Sequence, residues 1–185
     1  MVAQERAITT ADFEQFVNLP ENADRLFEFI GGEIVEVPSN AFVSAISITI
    51  AFFIKLFLRE HQIEGYVTGE AGGYMIFGER YAPDVAFISK ARQPELAQEG
   101  YNPNPPDLAV EIDFPSTRVS QGKLMIKLAN YLAAGTAVWI VYPETKQVQV
   151  YAPGQPPKIL GINDTIDGGE VLPGFTLPVR DIFPV

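Results

Sequence analysis

The sequence lacks cysteine altogether and contains a single histidine, His61. Without cysteine the chain forms neither disulfides nor thiolate metal sites, and one histidine excludes a histidine-rich zinc site. Positive charge is also scarce, because 13 Lys and Arg residues stand against 23 Asp and Glu residues, for a formal net charge of −10. Such a chain does not attract phosphate backbones by its overall field, so binding to nucleic acid would require a local basic patch, a bound metal or both.

Long uninterrupted hydrophobic runs are also missing. The first residues are polar, which argues against a signal peptide. The most apolar stretch, residues 41–58, is interrupted by serine, threonine and lysine and is short for a membrane span. We therefore expect a cytoplasmic protein with no membrane partner. The length of 185 residues favours a single domain over residues 1–185.

The N-terminal region predicts a β-hairpin. Apolar and polar residues alternate on both sides of Gly31-Gly32, and two glycines between alternating segments are typical of a tight hairpin turn. The alternation also predicts that Glu28, Glu33 and Glu36 are solvent-facing strand carboxylates.

Two further elements precede the central part of the chain. A helix capped near Asn40 is expected to run to about Glu60, and because it is apolar almost all round, we expect it to lie between other elements. Residues 65–78 predict a second pair of strands joined by a glycine-rich turn.

The central part of the chain predicts a mixed β-sheet. Asp84 opens a short apolar strand, and residues 107–113 form another one. A helix ending near Ala134 separates the latter from the almost wholly apolar segment 136–142, which indicates a crossover between parallel strands. A final antiparallel strand ends at Tyr151. The expected fold class is therefore α/β (α+β), a mixed central sheet flanked by helices.

Acidic residues cluster where these strands end. Because successive strand side chains point to opposite faces, Glu111 and Asp113 lie on the same face, about 6–7 Å apart. Asp84 would lie close to both of them if its strand is a neighbour in the sheet. With no cysteine and no nearby histidine, this all-oxygen set favours Mg²⁺ or Mn²⁺. Lys123 and Lys127 share one face of the following helix and could stabilise developing charge. The spacing fits equally well with two loop acids and a solvated helix face.

Four short motifs follow one another along the chain: Pro83-Asp84-Val85, Pro106 to Ile112, Lys127 with Tyr131 and Gly135, and Val138 to Pro143. Their order and spacing resemble the Uma-two family of restriction-endonuclease-like proteins, which belongs to the PD-(D/E)xK nuclease superfamily. The resemblance extends from Glu28–Glu33 through residues 69–73 to Leu172–Phe175 and covers nearly the whole chain.

The resemblance implies a restriction-endonuclease-like core and Mg²⁺-dependent (or Mn²⁺-dependent) hydrolysis of phosphodiester bonds, with DNA as the expected substrate. Asp84 matches the aspartate of the PD motif and Glu111 the acidic residue of (D/E)xK, so both would ligate the metal. The lysine expected two positions later is replaced by Asp113, a possible third metal ligand.

The basic role then passes to the helix between the parallel strands. The resemblance implies that Lys127 is the match for that role, with Lys123 as its neighbour. It also implies that Glu33 would correspond to an additional acidic residue that some superfamily members bring from their N-terminal region.

Two other functions remain open on the sequence. The acidic charge and the replaced lysine also suit a non-catalytic binding or scaffold module of the same fold. A metal-dependent hydrolase of small nucleotides is a further alternative, because an acidic surface hinders it less. A homodimer is expected if both strands of a duplex are cut, since two cuts need two sites.

Overall fold

The computed structural model describes residues 7–37, 40–114 and 118–184. Its helices are α1 (Thr10–Val17), α2 (Ala41–Glu60) and α3 (Arg118–Ala133). Its strands are β1 (Phe27–Ile30), β2 (Glu33–Glu36), β3 (Gly65–Gly69), β4 (Tyr74–Ile76), β5 (Glu79–Tyr81), β6 (Val85–Ser89), β7 (Leu108–Ile112), β8 (Ala137–Tyr142), β9 (Gln147–Tyr151), β10 (Lys158–Leu160), β11 (Thr165–Asp167) and β12 (Thr176–Pro178).

The central sheet has six strands in the order β10-β9-β8-β7-β6-β3. Strands β7 and β8 are parallel and are joined by α3, whereas the other neighbouring pairs are antiparallel. Helix α3 ends before Gly135, whose positive φ of 78° lets the chain turn back into β8. The predicted fold class, a mixed sheet with flanking helices and a helical crossover, is confirmed.

Strand β8 shows how the sheet is buried on both faces. Trp139 and Val141 point to a core shared with α2 and the C-terminal segment, where Trp139 stacks on Phe175 at 5.8 Å between ring centroids. Val138 and Ile140 point to the opposite core, which contains α3. Because successive strand side chains alternate, one nearly continuous apolar strand serves both cores.

The predicted N-terminal hairpin forms part of a second sheet, with the strand order β2-β1-β5-β4. Gly31 and Gly32 both have positive φ, as the tight turn requires. Phe27 and Phe29 pack with Phe13 of α1 on one side of β1. The other side of β1 contacts α3, so β1 is buried on both faces.

One expected strand pairing is wrong. β3 and β4 do not pair with each other, because β3 pairs with β6 in the central sheet and β4 pairs with β5 in the second sheet. The glycine-rich segment between them is a crossing from one sheet to the other. At Gly73 an added Cβ would lie 2.3 Å from the Tyr101 ring, so glycine permits a close approach there.

The expected full burial of α2 is also wrong. Ile46, Ile50 and Ile54 are buried against the central sheet, whereas Ile48 and Phe52 are 67% and 58% exposed. The described neighbours of α2 cover one side of it only. Among the described residues, α2 is the one helix long and apolar enough to cross a membrane, a criterion that core helices of soluble proteins also meet.

The long connection between β6 and β7 packs against the hairpin. The Tyr101 hydroxyl donates to the backbone carbonyl of Phe27 at 2.8 Å. Asn102, which is buried, donates to the carbonyl of Gly73 at 3.2 Å. These contacts tie the connection to the second sheet and support β1, the strand that carries Glu28.

We expect Tyr101→Phe to lower the free energy of unfolding by about 1 kcal/mol, because the carbonyl of Phe27 loses a partly buried donor. Urea unfolding at neutral pH measures the change. Tyr142→Phe is the matched control, since the hydroxyl of Tyr142 makes no hydrogen bond within the described part of the chain. Equal losses in the two variants would show that the Tyr101 hydroxyl does not anchor the connection.

Candidate active site

The antiparallel pairing of β6 and β7 brings the start of one strand beside the end of the other. Asp84 directly precedes β6, and Val85 is paired with Val110 of β7. The Oδ2 of Asp84 accepts a hydrogen bond from the backbone N–H of Ile112 at 2.7 Å. This contact fixes Asp84 beside Glu111, and both residues line one cleft.

Helix α3 supplies a buried ammonium group. Lys127 is 5% exposed, and its Nζ donates to the Oε2 of Glu111 at 2.6 Å. One turn later, the hydroxyl of Tyr131 donates to the Oε1 of the same carboxylate at 3.1 Å. The i, i+4 spacing thus directs a lysine and a tyrosine inward, where they satisfy both oxygens of Glu111.

A third acidic residue comes from the hairpin. Glu28 is 6% exposed, and its Oε1 accepts from the Nζ of Lys127 at 2.8 Å and from the backbone N–H of Ala82 at 2.7 Å. Glu28 therefore shares the ammonium of Lys127 with Glu111. The expectation that Glu28 faces solvent is wrong, because α3 covers the second face of β1.

Burial governs the electrostatics of this cluster. Burial raises the pKa of Glu111 to about 8, an effect that Lys127 opposes and that Glu28 and Asp84 reinforce. Burial alone would lower the pKa of Lys127, but the carboxylates of Glu111 and Glu28 more than offset it, so the net shift is upward. Lys127 therefore remains protonated at neutral pH.

Asp84 is also poorly solvated. Burial raises its pKa to about 6, while the backbone N–H of Ile112 and the charge of Lys127 act in the opposite direction. The carboxylate is therefore held in its charged form at a cost, which a bound cation would reduce.

The remaining candidates lie around the same cleft. The Oδ2 of Asp113 is buried and has no hydrogen-bond partner among the residues that the structure describes, and burial raises the pKa of this carboxyl. Lys123 forms an ion pair of 2.8 Å with Glu33, whose side chain is 66% exposed. Asp113 and Lys123 line the cleft, whereas Glu33 holds Lys123 from the hairpin side.

The cleft has a volume of about 390 Å³. Asp84, Glu111 and Asp113 present only carboxylate oxygens to it, and this donor set fits Mg²⁺ or Mn²⁺. Within the described part of the chain, the buried Oδ2 of Asp113 lacks a hydrogen-bond partner. Within residues 7–37, 40–114 and 118–184, no group of three or more acidic or histidine side chains is already arranged around one ion position.

Comparison with known proteins identifies the family. A family model described as "Putative restriction endonuclease", Uma2, matches residues 13–180. The chain belongs to the Uma2 family. The family resemblance inferred from the motifs is thereby confirmed. The chain is a member of a family of restriction-endonuclease-like proteins.

A solved structure has the same fold as this Uma2 protein. It is described as a "putative nuclease belonging to DUF820" from Anabaena variabilis ATCC 29413. The two share 24% sequence identity with a TM-score of 0.80, and the alignment covers 95% of this chain and 97% of the other. No curated protein matches the chain.

The cluster in this Uma2 chain includes residues that the motifs named and one that they did not. Asp84, Glu111, Asp113, Lys123 and Lys127 lie around one cleft, and their catalytic and metal-binding roles stay predictions. The residue that the motifs did not name is Glu28. Its signal lies in the hairpin, where this glutamate stands between two phenylalanines that are both buried. The polar face of such a strand is exposed only if no other element covers it, and in β1 helix α3 covers the face that bears Glu28.

We expect Lys127→Met to lower the free energy of unfolding by about 3–5 kcal/mol at pH 8, because two buried carboxylates lose their cation. The loss should be smaller at pH 5, since burial raises the pKa of Glu111 and protonation removes its charge. Urea unfolding at both pH values provides the measurement.

The matched control is Lys123→Met, which removes a partly exposed pair and should cost less than about 1 kcal/mol. A loss for Lys127→Met that does not change between pH 5 and pH 8 would contradict the charge-based explanation.

Asp84→Asn should stabilise the protein increasingly as the pH rises from about 4 to about 6. The folded-state pKa of Asp84, about 6, lies above that of a free aspartate, so the folded state binds the proton more tightly and the wild type loses stability across this window. The asparagine variant does not titrate. The difference should reach about 1–3 kcal/mol above pH 6.

Thermal and urea unfolding between pH 4 and pH 8 measure this difference. Asp24→Asn, at an exposed position, should stay within about 0.5 kcal/mol of the wild type throughout. A constant offset between the Asp84 variant and the wild type at every pH would contradict the raised pKa.

Proposed function

We propose that the chain is a metal-dependent endonuclease that hydrolyses phosphodiester bonds, with DNA as its substrate. The observation that carries the proposal is the buried contact between Lys127 and Glu111 beside Asp84 in an open cleft. Charged groups that are held out of water at a cost are typical of reacting sites. Membership of the Uma2 family supports the same reaction class.

We assign the metal to Asp84 and Glu111, with Asp113 as a third ligand. When bound, Mg²⁺ or Mn²⁺ supplies Lewis-acid polarisation of the scissile phosphate. The raised pKa values of Asp84, about 6, and of Glu111, about 8, mean that both ligands are fully charged only above about pH 8. Both metal binding and cleavage should therefore increase with pH between about 6 and about 8.

Lys127 acts as a fixed positive charge rather than as a proton acceptor, because its pKa is raised and the ammonium stays protonated. An ammonium already positioned at the cleft stabilises the charge that develops on the phosphate without reorganising. Glu28 and Tyr131 hold this arrangement from outside the metal ligand set, since Glu28 orients the ammonium and Tyr131 orients the carboxylate of Glu111.

A non-catalytic binding module is the second candidate, and a specific observation favours it. Lys127 forms ion pairs with both Glu28 and Glu111, so it also acts as a structural cross-link between α3, the hairpin and the central sheet. The aspartate at position 113, where the superfamily motif has its lysine, fits this reading too.

We further propose that residues 1–185 form one domain that works in the cytoplasm and pairs with a second copy. The family match over residues 13–180 supports a single unit. β2 is an outer strand of the second sheet. No strand of the described residues pairs with its outer edge, which therefore offers a contact for the second copy. Sedimentation of the purified protein measures the oligomeric state.

Cleavage of supercoiled plasmid separates the two candidate functions. With Mg²⁺ or Mn²⁺, Asp84→Asn and Glu111→Gln should nick the plasmid about 10²–10³-fold more slowly than the wild type, because each removes charge at the reacting centre. Asp24→Asn should cleave like the wild type, and circular dichroism establishes that all variants are folded.

Metal binding can be followed without activity. Mg²⁺ should raise the melting temperature of the wild type, since a ligand that binds only the folded state stabilises it, and should leave Asp84→Asn unchanged. Equal nicking by the wild type and both site variants, together with no metal-dependent shift, would establish a contaminating nuclease and favour the binding module.

A further inference from the structure

The exposed side of α2 combines apolar and basic residues. Ile48, Phe52, Lys55 and Arg59 follow one another at intervals of four, three and four residues, which places them on one face of the helix. Ile48 and Phe52 are 67% and 58% exposed, and Lys55 and Arg59 are exposed as well. The proposed catalytic cluster uses none of these four residues.

This face borders a groove that leads to the proposed active site. One concavity of about 380 Å³ lies between α2 and β3 and contains Phe52, Lys55 and Asp84. Asp84 also lines the active cleft. A wider concavity of about 850 Å³ continues from Phe52 and Lys55 to Arg59 and Tyr66. We name these two connected concavities the α2–β3 groove.

The basic side chains of the α2–β3 groove form no ion pair within the described residues, a property they share with Lys146, Lys158 and Arg180. Six described basic residues are paired with carboxylates: Arg25, Arg80, Lys90, Arg92, Lys123 and Lys127. Lys55 and Arg59 form no ion pair within the part of the chain that the structure describes. Glu64, which also lines the groove, is paired with Lys90 at 3.0 Å. The basic groups of the groove are therefore available to an anion, although Glu60 adjoins Arg59 in the sequence.

We propose that the α2–β3 groove binds a single strand of nucleic acid and leads it to the active cleft. A base stacks on the ring of Phe52, and backbone phosphates contact Lys55 and Arg59. An exposed aromatic ring beside unpaired basic side chains is the combination that recognises unpaired bases and their backbone. A duplex hides its base faces, so it cannot use the ring of Phe52. This inference rests on the proposed nuclease function.

A second copy of the chain is a poorer occupant of this face. In an antiparallel pair of α2 helices, Lys55 and Arg59 of one copy would lie against the first turn of the other helix. That turn has no acidic residue and carries the positive end of the helix dipole. Phosphates satisfy the basic residues better.

Fluorescence anisotropy tests the inference with a labelled oligo-dT strand, in EDTA so that no metal-dependent cleavage takes place. Phe52→Ala and Phe52→Leu should each weaken binding about tenfold, because both remove the stacking ring, whereas Phe52→Trp should bind at least as well as the wild type. An apolar protein contact would instead tolerate leucine. The position is exposed, so these variants should remain folded.

Lys55→Ala should weaken binding and reduce the slope of log affinity against log salt by about 0.7, the value for one phosphate of a single strand. Lys158→Ala is the matched control, because this exposed lysine lies on β10 at the opposite edge of the central sheet. It should leave both affinity and salt slope unchanged.

The inference falls if the wild type does not bind the strand at low salt, if a hairpin duplex binds as well as the strand, or if Phe52→Leu binds like the wild type. It also falls if Phe52→Ala changes only the sedimentation or the binding to anionic vesicles, because the face then contacts a second copy or a membrane. The nuclease proposal is judged separately by Asp84→Asn. If the groove variants bind the strand normally and cleavage still depends on Asp84, only the groove proposal is refuted. If the groove variants bind the strand more weakly and nicking does not depend on Asp84, only the nuclease proposal is refuted.

Discussion

The buried ammonium of Lys127 is the contact on which the site depends. It joins α3 to Glu111 on the central sheet and to Glu28 on the hairpin, at 2.6 Å and 2.8 Å. Taking these three charges out of water costs several kcal/mol each, and the cost is offset only when they stay together. The three elements are therefore coupled, because moving any one of them leaves a buried charge without its partner.

The sheet topology explains why this coupling takes place beside a cleft. The crossover through α3 returns the chain parallel to β7, while β6 runs antiparallel to it, so the end of β7 meets the start of β6 and the inner face of α3. Asp84 is then held by the backbone of Ile112 and not by another charge. One acid is neutralised by lysine and another is left poorly solvated, and the proposed metal site rests on this difference.

Much of the architecture was predictable from local pattern. The hairpin around Gly31-Gly32 and the crossover ending at Gly135 carry turn residues and periodicities that local sterics determine. The pairing of β3 was not predictable, because its partner β6 lies about 20 residues away and a glycine-rich segment serves a crossing between sheets as well as a turn. The exposure of Phe52 was likewise not predictable, since composition does not report which side of a helix has neighbours.

By itself the sequence determined the residue types of the candidate site and their order along the chain, because these are properties of the covalent polymer. It also determined the family, through motifs whose spacing spans most of its length. Only the tertiary structure decided that the face of α3 bearing Lys127 points inward and that Glu28 joins it. That decision depends on which elements cover one another, and burial alone turns an ordinary glutamate on a strand into a partner for a buried lysine.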